Sequence, residues 1–236
     1  MGFDVNFSHL QFLPAGVRKA IFGDRSTPEG TDGKIWASRD GSLVNLPWKQ
    51  ALVAEGRVFN MTIGALSTGL VGGGAGTVPE LAEPEFIISV PSGACILPFR
   101  VDIQGTAADA VADHSTLEII LAVDTAKAWD GTGTATAETP VNMRTGYSRP
   151  SLCTCRSAFT ADSTAPTETM DLAREEVKID LPANGETPII VHLLYEPDVS
   201  PLIVGPAQLW GMWGGTSALT GYAQIVWAEF MLAEAT

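Results

Sequence analysis

The chain holds three cysteines, Cys95, Cys153 and Cys155, and these are the first candidates for metal or redox chemistry. Zinc in proteins takes four ligands, usually as Cys-x-x-Cys pairs or with histidines nearby. In a β-strand, Cys153 and Cys155 would instead point to the same face and pack as two small apolar side chains. A small, odd number of cysteines also argues against a disulfide framework. We therefore expect no metal site and no cofactor.

A glycine-rich stretch at 69–76 and the histidine His192 are the next candidates. A phosphate-binding loop needs Gly-Lys-Ser/Thr, and a dinucleotide fingerprint needs a following helix; the stretch has neither. His192 lies in the apolar run 189–195, which is typical of a neutral histidine in a core or an interface. The sequence contains no Gly-x-Ser-x-Gly nucleophile elbow. We expect no catalytic residues and a protein that is not an enzyme.

Two tryptophans, Trp210 and Trp213, are candidates for stacking on a ligand. They flank Gly211-Met212 and precede Gly214-Gly215-Thr216. On a loop, either indole could stack on a sugar ring; in the last two strands, both would pack in the core or against another subunit. Both alternatives stay open from the sequence.

The charge balance excludes some partners. The chain has 14 Lys and Arg against 27 Asp and Glu, a net charge of −13. Coating of nucleic acid is disfavoured, because neutralising phosphates needs clustered basic residues. Charged residues make up only 17% of the chain, against about 25% in an ordinary soluble domain. We therefore expect part of the surface to contact another subunit.

From residue 58 onward the sequence reads as β-strands separated by turn residues. Apolar and polar side chains alternate with a period of two around Leu117, Ile119 and Leu121, and again around Val177 and Ile179, so these five residues are predicted to face a core. No long amphipathic helix separates the strands, which favours an antiparallel β-sandwich. Stretches 70–77 and 129–139 are predicted to be surface loops. Nine strands are predicted, at 58–67, 85–90, 95–104, 117–124, 151–159, 176–181, 189–195, 202–213 and 222–232.

Residues 1–57 differ from this body and are predicted to be an extended N-terminal arm. They carry seven basic and six acidic groups, net +1, which leaves −14 for residues 58–236. The stretch 24–33 is dense in turn residues, and 47–56 predicts a short helix with Pro in its first turn and Gly after its end. Isolated apolar side chains on an irregular segment need an external surface. The candidate anchors for a partner are Phe12, Ile21, Phe22, Trp36 and Trp48.

The chain shows no sign of a membrane or export signal. No apolar run approaches the roughly 18 residues of a membrane span. The start Met1-Gly2-Phe3-Asp4-Val5 lacks the basic and apolar regions of a signal peptide. We expect no membrane partner and synthesis in a cytoplasm.

Two segments resemble jelly-roll proteins of viruses and bacteriophages. Residues 84–103 have the order strand, turn at Pro91-Ser92-Gly93, strand, and residues 201–230 resemble the final hairpin of such proteins. The resemblance implies a jelly-roll-like sandwich over 58–236 and a structural virion protein made in the host cytoplasm. It implies a capsid-decorating (cement) protein that forms a homotrimer and contacts other virion proteins such as the major capsid protein.

Two other functions fit the same resemblance. One is a carbohydrate- or receptor-binding module of a virion appendage, with a glycan on Trp210 or Trp213. The other is a jelly-roll major capsid protein, although the arm lacks the strong positive charge of capsid arms that line a genome.

Overall fold

The computed structural model describes residues 47–64, 69–72, 82–107, 115–126, 134–146, 149–159, 165–179, 190–215 and 219–232. Within these ranges the chain forms one short helix and thirteen strands. The elements are α1 (Trp48–Ala54), β1 (Val58–Ile63), β2 (Leu70–Val71), β3 (Phe86–Val90), β4 (Ala94–Ala107), β5 (Ser115–Asp124), β6 (Thr136–Glu138), β7 (Val141–Asn142), β8 (Thr154–Ser157), β9 (Met170–Ile179), β10 (Ile190–Tyr195), β11 (Ile203–Val204), β12 (Ala207–Gly215) and β13 (Leu219–Met231).

The strands form two antiparallel sheets packed face to face, so the prediction of an all-β sandwich is confirmed. The seven-stranded sheet has the order β10-β4-β13-β1-β7, with β11 beside β4 and β2 beside β13. The six-stranded sheet has the order β6-β8-β3-β12-β5-β9. Each of the nine predicted strands overlaps an observed strand.

The eight strands of five or more residues pair in a nested order. In chain order, the first pairs with the last (β1 with β13), the second with the seventh (β3 with β12), the third with the sixth (β4 with β10), and the fourth with the fifth (β5 with β9). The ladders β4–β13 and β12–β5 then join these pairs into the two sheets. The body is one long antiparallel hairpin wound over itself.

The core lies between the sheets and contains the side chains that alternation placed there. Leu117, Ile119 and Leu121 of β5 are each fully buried in it, and Val177 of β9 packs against it half-buried. These four predictions are confirmed, because inward residues of a period-two strand meet the opposite sheet. The side chain of Ile179 lies outside the described residues.

The short helix predicted over 47–56 is present as α1. Pro47 precedes its first turn, and Gly56 follows its end with a positive φ of 71°. The helix lies on the outer side of the seven-stranded sheet and buries Leu52 there. Leu52 belongs to a cluster with Val58, Cys95, Phe99, Ala228 and Phe230. This part of the predicted arm therefore packs on its own sandwich; residues 1–46 lie outside the described residues.

Two stretches predicted as loops contain short strands, which corrects that expectation. Leu70–Val71 forms β2 and pairs with β13, and Thr136–Glu138 forms β6 and pairs with β8. Strands of two or three residues are too short for an alternation pattern to reveal. Gly72, in the glycine-rich stretch, is closely packed: a Cβ atom there would lie 2.0 Å from the backbone oxygen of Trp213.

We predict that Ile119→Ala lowers the free energy of unfolding by about 2–5 kcal/mol, because it leaves a cavity between the sheets. Urea unfolding followed by tryptophan fluorescence measures the change. The exposed Thr154→Ala is the control and should shift stability by no more than about 0.5 kcal/mol. Equal stability of the Ile119 variant and the control would contradict the described core.

Candidate functional site

Trp210 and Trp213 are both completely buried in β12. Trp213 lies in the core between the sheets; its backbone N–H donates to Glu85 Oε2 at 2.8 Å and its indole N–H to the carbonyl of Leu70 at 3.2 Å. Trp210 lies on the opposite side of the six-stranded sheet, in a cluster with Phe159 and Met212. Stacking on a sugar needs an exposed ring face, and neither indole has one. The structure corrects the stacking assignment and places both as packing residues.

Trp48 is the one candidate anchor within the described residues; Phe12, Ile21, Phe22 and Trp36 lie outside them. Trp48 is 42% exposed, and its ring meets the ring of Phe99 edge-on, with centroids 5.2 Å apart. The ammonium group of Lys49 lies 5.8 Å from the Trp48 ring. Trp48 thus contacts its own sandwich and keeps part of its ring in solvent.

The cysteines are buried free thiols. Burial first, and then the carboxylate of Glu229, raises the pKa of Cys153 far above the ordinary thiol range, and the same causes raise the pKa of Cys155. Both thiols therefore stay protonated at neutral pH, and a protonated thiol is neither a nucleophile nor a metal ligand. Among the described residues, no group of three or more His, Cys, Asp or Glu side chains could hold a metal ion.

Glu229 is a completely buried carboxylate that the sequence reasoning missed. It accepts hydrogen bonds from the hydroxyl of Ser151, from the backbone N–H of Leu152 at 2.7 Å and from the indole N–H of Trp227 at 2.9 Å. A buried carboxylate is tolerated when donors satisfy it in this way. Glu229 therefore ties the segment before β8 to the seven-stranded sheet. A single acid within the apolar run 225–230 was the signal that could have revealed it.

Asp124 anchors a second segment by the same principle. It is completely buried at the end of β5, and its two oxygens accept from the backbone N–H groups of Ala126 at 2.7 Å and Thr167 at 2.9 Å. A buried carboxylate needs donors of this kind. Glu229 and Asp124 thus each hold a loop segment to a strand.

The outer side of the seven-stranded sheet presents ordered polar side chains. We call the part of it made by the three rows of residues named below the open face. Its strands are in register, so outward residues line up in rows across β10, β4, β13 and their neighbours. The rows are Ile190–Thr106–Thr220–Val71, then His192–Gln104–Tyr222, then Leu194–Asp102–Gln224–Thr62.

His192 belongs to this face, so of the two places expected for it, a core or an interface, the core is wrong. The outward residues of β10 are exposed and the inward ones are buried, so His192 points to solvent. Its Nε2 lies 2.9 Å from Asp102 Oδ1, and Arg100 Nη2 lies 2.8 Å from Asp102 Oδ2. Partial burial would raise the pKa of Asp102, but the hydrogen bonds and charges of Arg100 and His192 outweigh it and hold that pKa below its usual value.

The outer side of the six-stranded sheet has a different chemistry near its β5–β9 edge. Arg174 lies 2.6 Å from Glu168, 3.3 Å from Glu118 and 3.5 Å from Asp171. Such a chain of opposite charges along an exposed strand edge discourages pairing with another strand. This side is therefore solvated and charged, whereas the open face is nearly uncharged.

Comparison with protein-family models, with curated proteins and with solved structures finds no match to this chain. Its function therefore has to be argued from its own residues. In the ranges that the structure describes, no helix is long and apolar enough to span a membrane. The open face presents ordered, solvent-facing polar groups whose chemistry is hydrogen bonding.

We predict that Glu229→Gln destabilises the protein by about 1–3 kcal/mol, because the amide places an N–H group opposite a buried donor. Equilibrium urea unfolding measures the loss. Thr220→Ala, exposed on the same strand, is the matched control and should leave the unfolding midpoint nearly unchanged. A Glu229→Gln variant as stable as that control would show that the carboxylate is not needed to satisfy its donors.

We predict that Asp102→Asn lowers stability at pH 7 by less than about 1 kcal/mol, because its partners are half exposed. The pKa of Asp102 is lower in the folded protein than in the unfolded chain. Its contribution is therefore fully present above about pH 4, the unfolded value, and is lost as the pH falls through the folded value. Thermal melts of wild type and variant should differ at pH 7 and converge near pH 2. A constant difference across that range would contradict the assignment.

Proposed function

We propose that this chain is a structural protein of a bacteriophage virion, most specifically a capsid-decorating (cement) protein. It would act as a homotrimer that stabilises the shell through subunit contacts and through residues 1–46. The chain would be made in the host cytoplasm and end in the particle. The virion part of this proposal rests on the resemblance of residues 84–103 and 201–230 to phage and viral jelly-roll proteins.

The nested strand pairing is the observation that carries the proposal. A jelly roll is a two-sheet sandwich of eight antiparallel strands wound as two Greek keys. Pairing of the first strand with the last, the second with the seventh, and so on inward is the order expected of that winding. Viral capsid and lectin domains use this architecture, although many unrelated functions share each common fold.

Exposed apolar side chains support a partner surface. Val199 is 87% exposed and Val141 66%, both outside the core. Contact with another subunit would remove such apolar surface from water. Together with the low charged fraction of the chain, they favour an oligomer over a monomer.

The N-terminal segment precedes α1 directly in the chain. Residues 1–46 join the sandwich at Pro47, beside the partly exposed ring of Trp48. The segment is nearly neutral on a chain of net charge −13 and carries Phe12, Ile21, Phe22 and Trp36. In the proposal, these side chains bury against a neighbouring subunit or the underlying shell.

Two alternatives to a cement protein stay in place. A major capsid protein would share the fold and the oligomeric contacts. A carbohydrate- or receptor-binding module of an appendage would share the fold but needs a ligand surface other than Trp210 and Trp213, because both are buried.

We predict that deleting residues 1–45 abolishes attachment to phage particles while the sandwich stays folded. Density-gradient centrifugation of particles made with the full-length or shortened chain measures attachment, and circular dichroism with thermal melting measures folding. Light scattering of the full-length protein should give three times the 24.9 kDa of one chain. A monomer, unchanged attachment of the shortened chain, or loss of its folding would each contradict the proposal.

Point variants sharpen this test. Phe12→Ala combined with Phe22→Ala and Trp36→Ala should reproduce the deletion, whereas Ser26→Ala with Thr31→Ala in the same segment should not. Attachment should also survive about 1 M salt, where the Debye length is only about 3 Å. Release at moderate salt would instead assign attachment to Arg18, Lys19 and Arg25.

A further inference from the structure

The open face combines a fixed geometry with side chains that both donate and accept hydrogen bonds. Successive outward rows are about 7 Å apart along the strands, and neighbouring strands are about 4.8 Å apart. The three rows therefore form a patch roughly 14 Å in each direction on the twisted surface of the sheet. Its middle columns are amide, carboxylate, phenol and hydroxyl groups of β4 and β13.

Charge on this patch is low in a strongly acidic protein. Among the described side chains of its rows, His192 and Asp102 are the ionisable ones besides the phenol of Tyr222, and Arg100 adjoins them. Asp102 is offset by Arg100, so the patch is close to neutral. A polyanion or polycation would therefore gain little electrostatic attraction from this patch. A neutral ligand would give up little by lacking charge.

The distribution of apolar groups also points away from a protein partner. Protein–protein interfaces place apolar residues at the centre and polar residues at the rim. Here the arrangement is reversed: Ile190 (56% exposed), Leu194 (49%) and Val71 (63%) lie at the margins, and the polar columns lie between them. A ligand with hydroxyl groups on one part and C–H surface on another matches this pattern.

The polar side chains of the centre are held in place before any ligand arrives. Tyr222 donates its hydroxyl hydrogen to Gln104 Oε1, which turns the amide nitrogen of Gln104, with its two hydrogens, away from the tyrosine. Asp102 is fixed between Arg100 and His192. Groups that are already oriented lose less conformational entropy on binding.

We propose that the open face is a binding site for a neutral oligosaccharide. Sugar hydroxyls both donate and accept, as the amides and phenol of this face do, and the C–H faces of the sugar would contact the apolar margins. Gln104, Tyr222 and Gln224 would hold the ligand directly. The site is independent of the virion proposal and would serve a free or an assembled protein equally.

The test is binding of the full-length chain to an array of neutral oligosaccharides of glucan, mannan and galactan type, with heparin fragments as the anionic comparison. We expect binding to at least one neutral class and none to heparin. Calorimetry on the strongest neutral oligosaccharide should show at least a tenfold loss of affinity for Gln104→Ala and for Tyr222→Phe.

The control is Lys178→Ala on the outer side of the six-stranded sheet, which should bind as wild type does. All variants should keep the wild-type melting temperature within a few degrees. Absence of any neutral ligand at millimolar concentration, or unchanged affinity of both open-face variants, overturns the proposal. A fall in oligomer mass of Gln104→Ala or Tyr222→Phe also overturns it, since the face would then be a contact between copies of this chain.

Discussion

The ladder between β4 and β13 runs the full length of both strands, from Ala94 opposite Met231 to Ala107 opposite Leu219. It joins the first and third of the nested pairs, β1–β13 and β4–β10, into one sheet. One register shift, between Val226 and Trp227, leaves Phe99 of β4 without an opposite residue. A bulge of this kind bends a strand and re-aims a side chain. Here the bulged residue Phe99 contacts Trp48 of α1. The irregularity of the ladder therefore places a side chain against which the helix packs.

The same ladder divides the outer side of its sheet into two regions with different roles. Beyond the bulge, Cys95, Ala228 and Phe230 are covered by α1. Before it, Asp102, Gln104 and Tyr222 form the open face. Between the sheets, the ladder carries Glu229, whose carboxylate holds the segment at Ser151 and Leu152. The side of these two paired strands on which a residue lies therefore decides its role. Inward residues pack in the core or anchor a loop, and outward residues contact α1 or form the open face.

Strand positions and the short helix could be predicted from the sequence because period-two alternation and the Pro47–Gly56 pattern are local signals. The partners of each strand could not, since pairings such as β1 with β13 join residues far apart in the chain. β12 shows a second limit: it is buried on both sides, so alternation could not tell which of Trp210 and Trp213 is exposed, and neither is. His192 shows the opposite case. Its apolar neighbours suggested a core or an interface, whereas alternation with Val191 and Leu193 excludes the core.

The nested pairing also orders the steps by which a nascent chain can fold. β5 and β9 form the innermost pair, and each further pair encloses the one before it. On a ribosome, β1 and β4 emerge early but wait for β13, which is synthesised after every other strand described here. Pairings between strands so far apart in the chain form slowly, because the entropy of closing the loop is lost before the contacts that stabilise it are made. Until residue 219 onward is released, the seven-stranded sheet lacks the strand that joins β1 to β4, whereas every strand of the six-stranded sheet has already been made. A chain cut short before that point therefore leaves the apolar inner side of the six-stranded sheet without a complete opposite sheet.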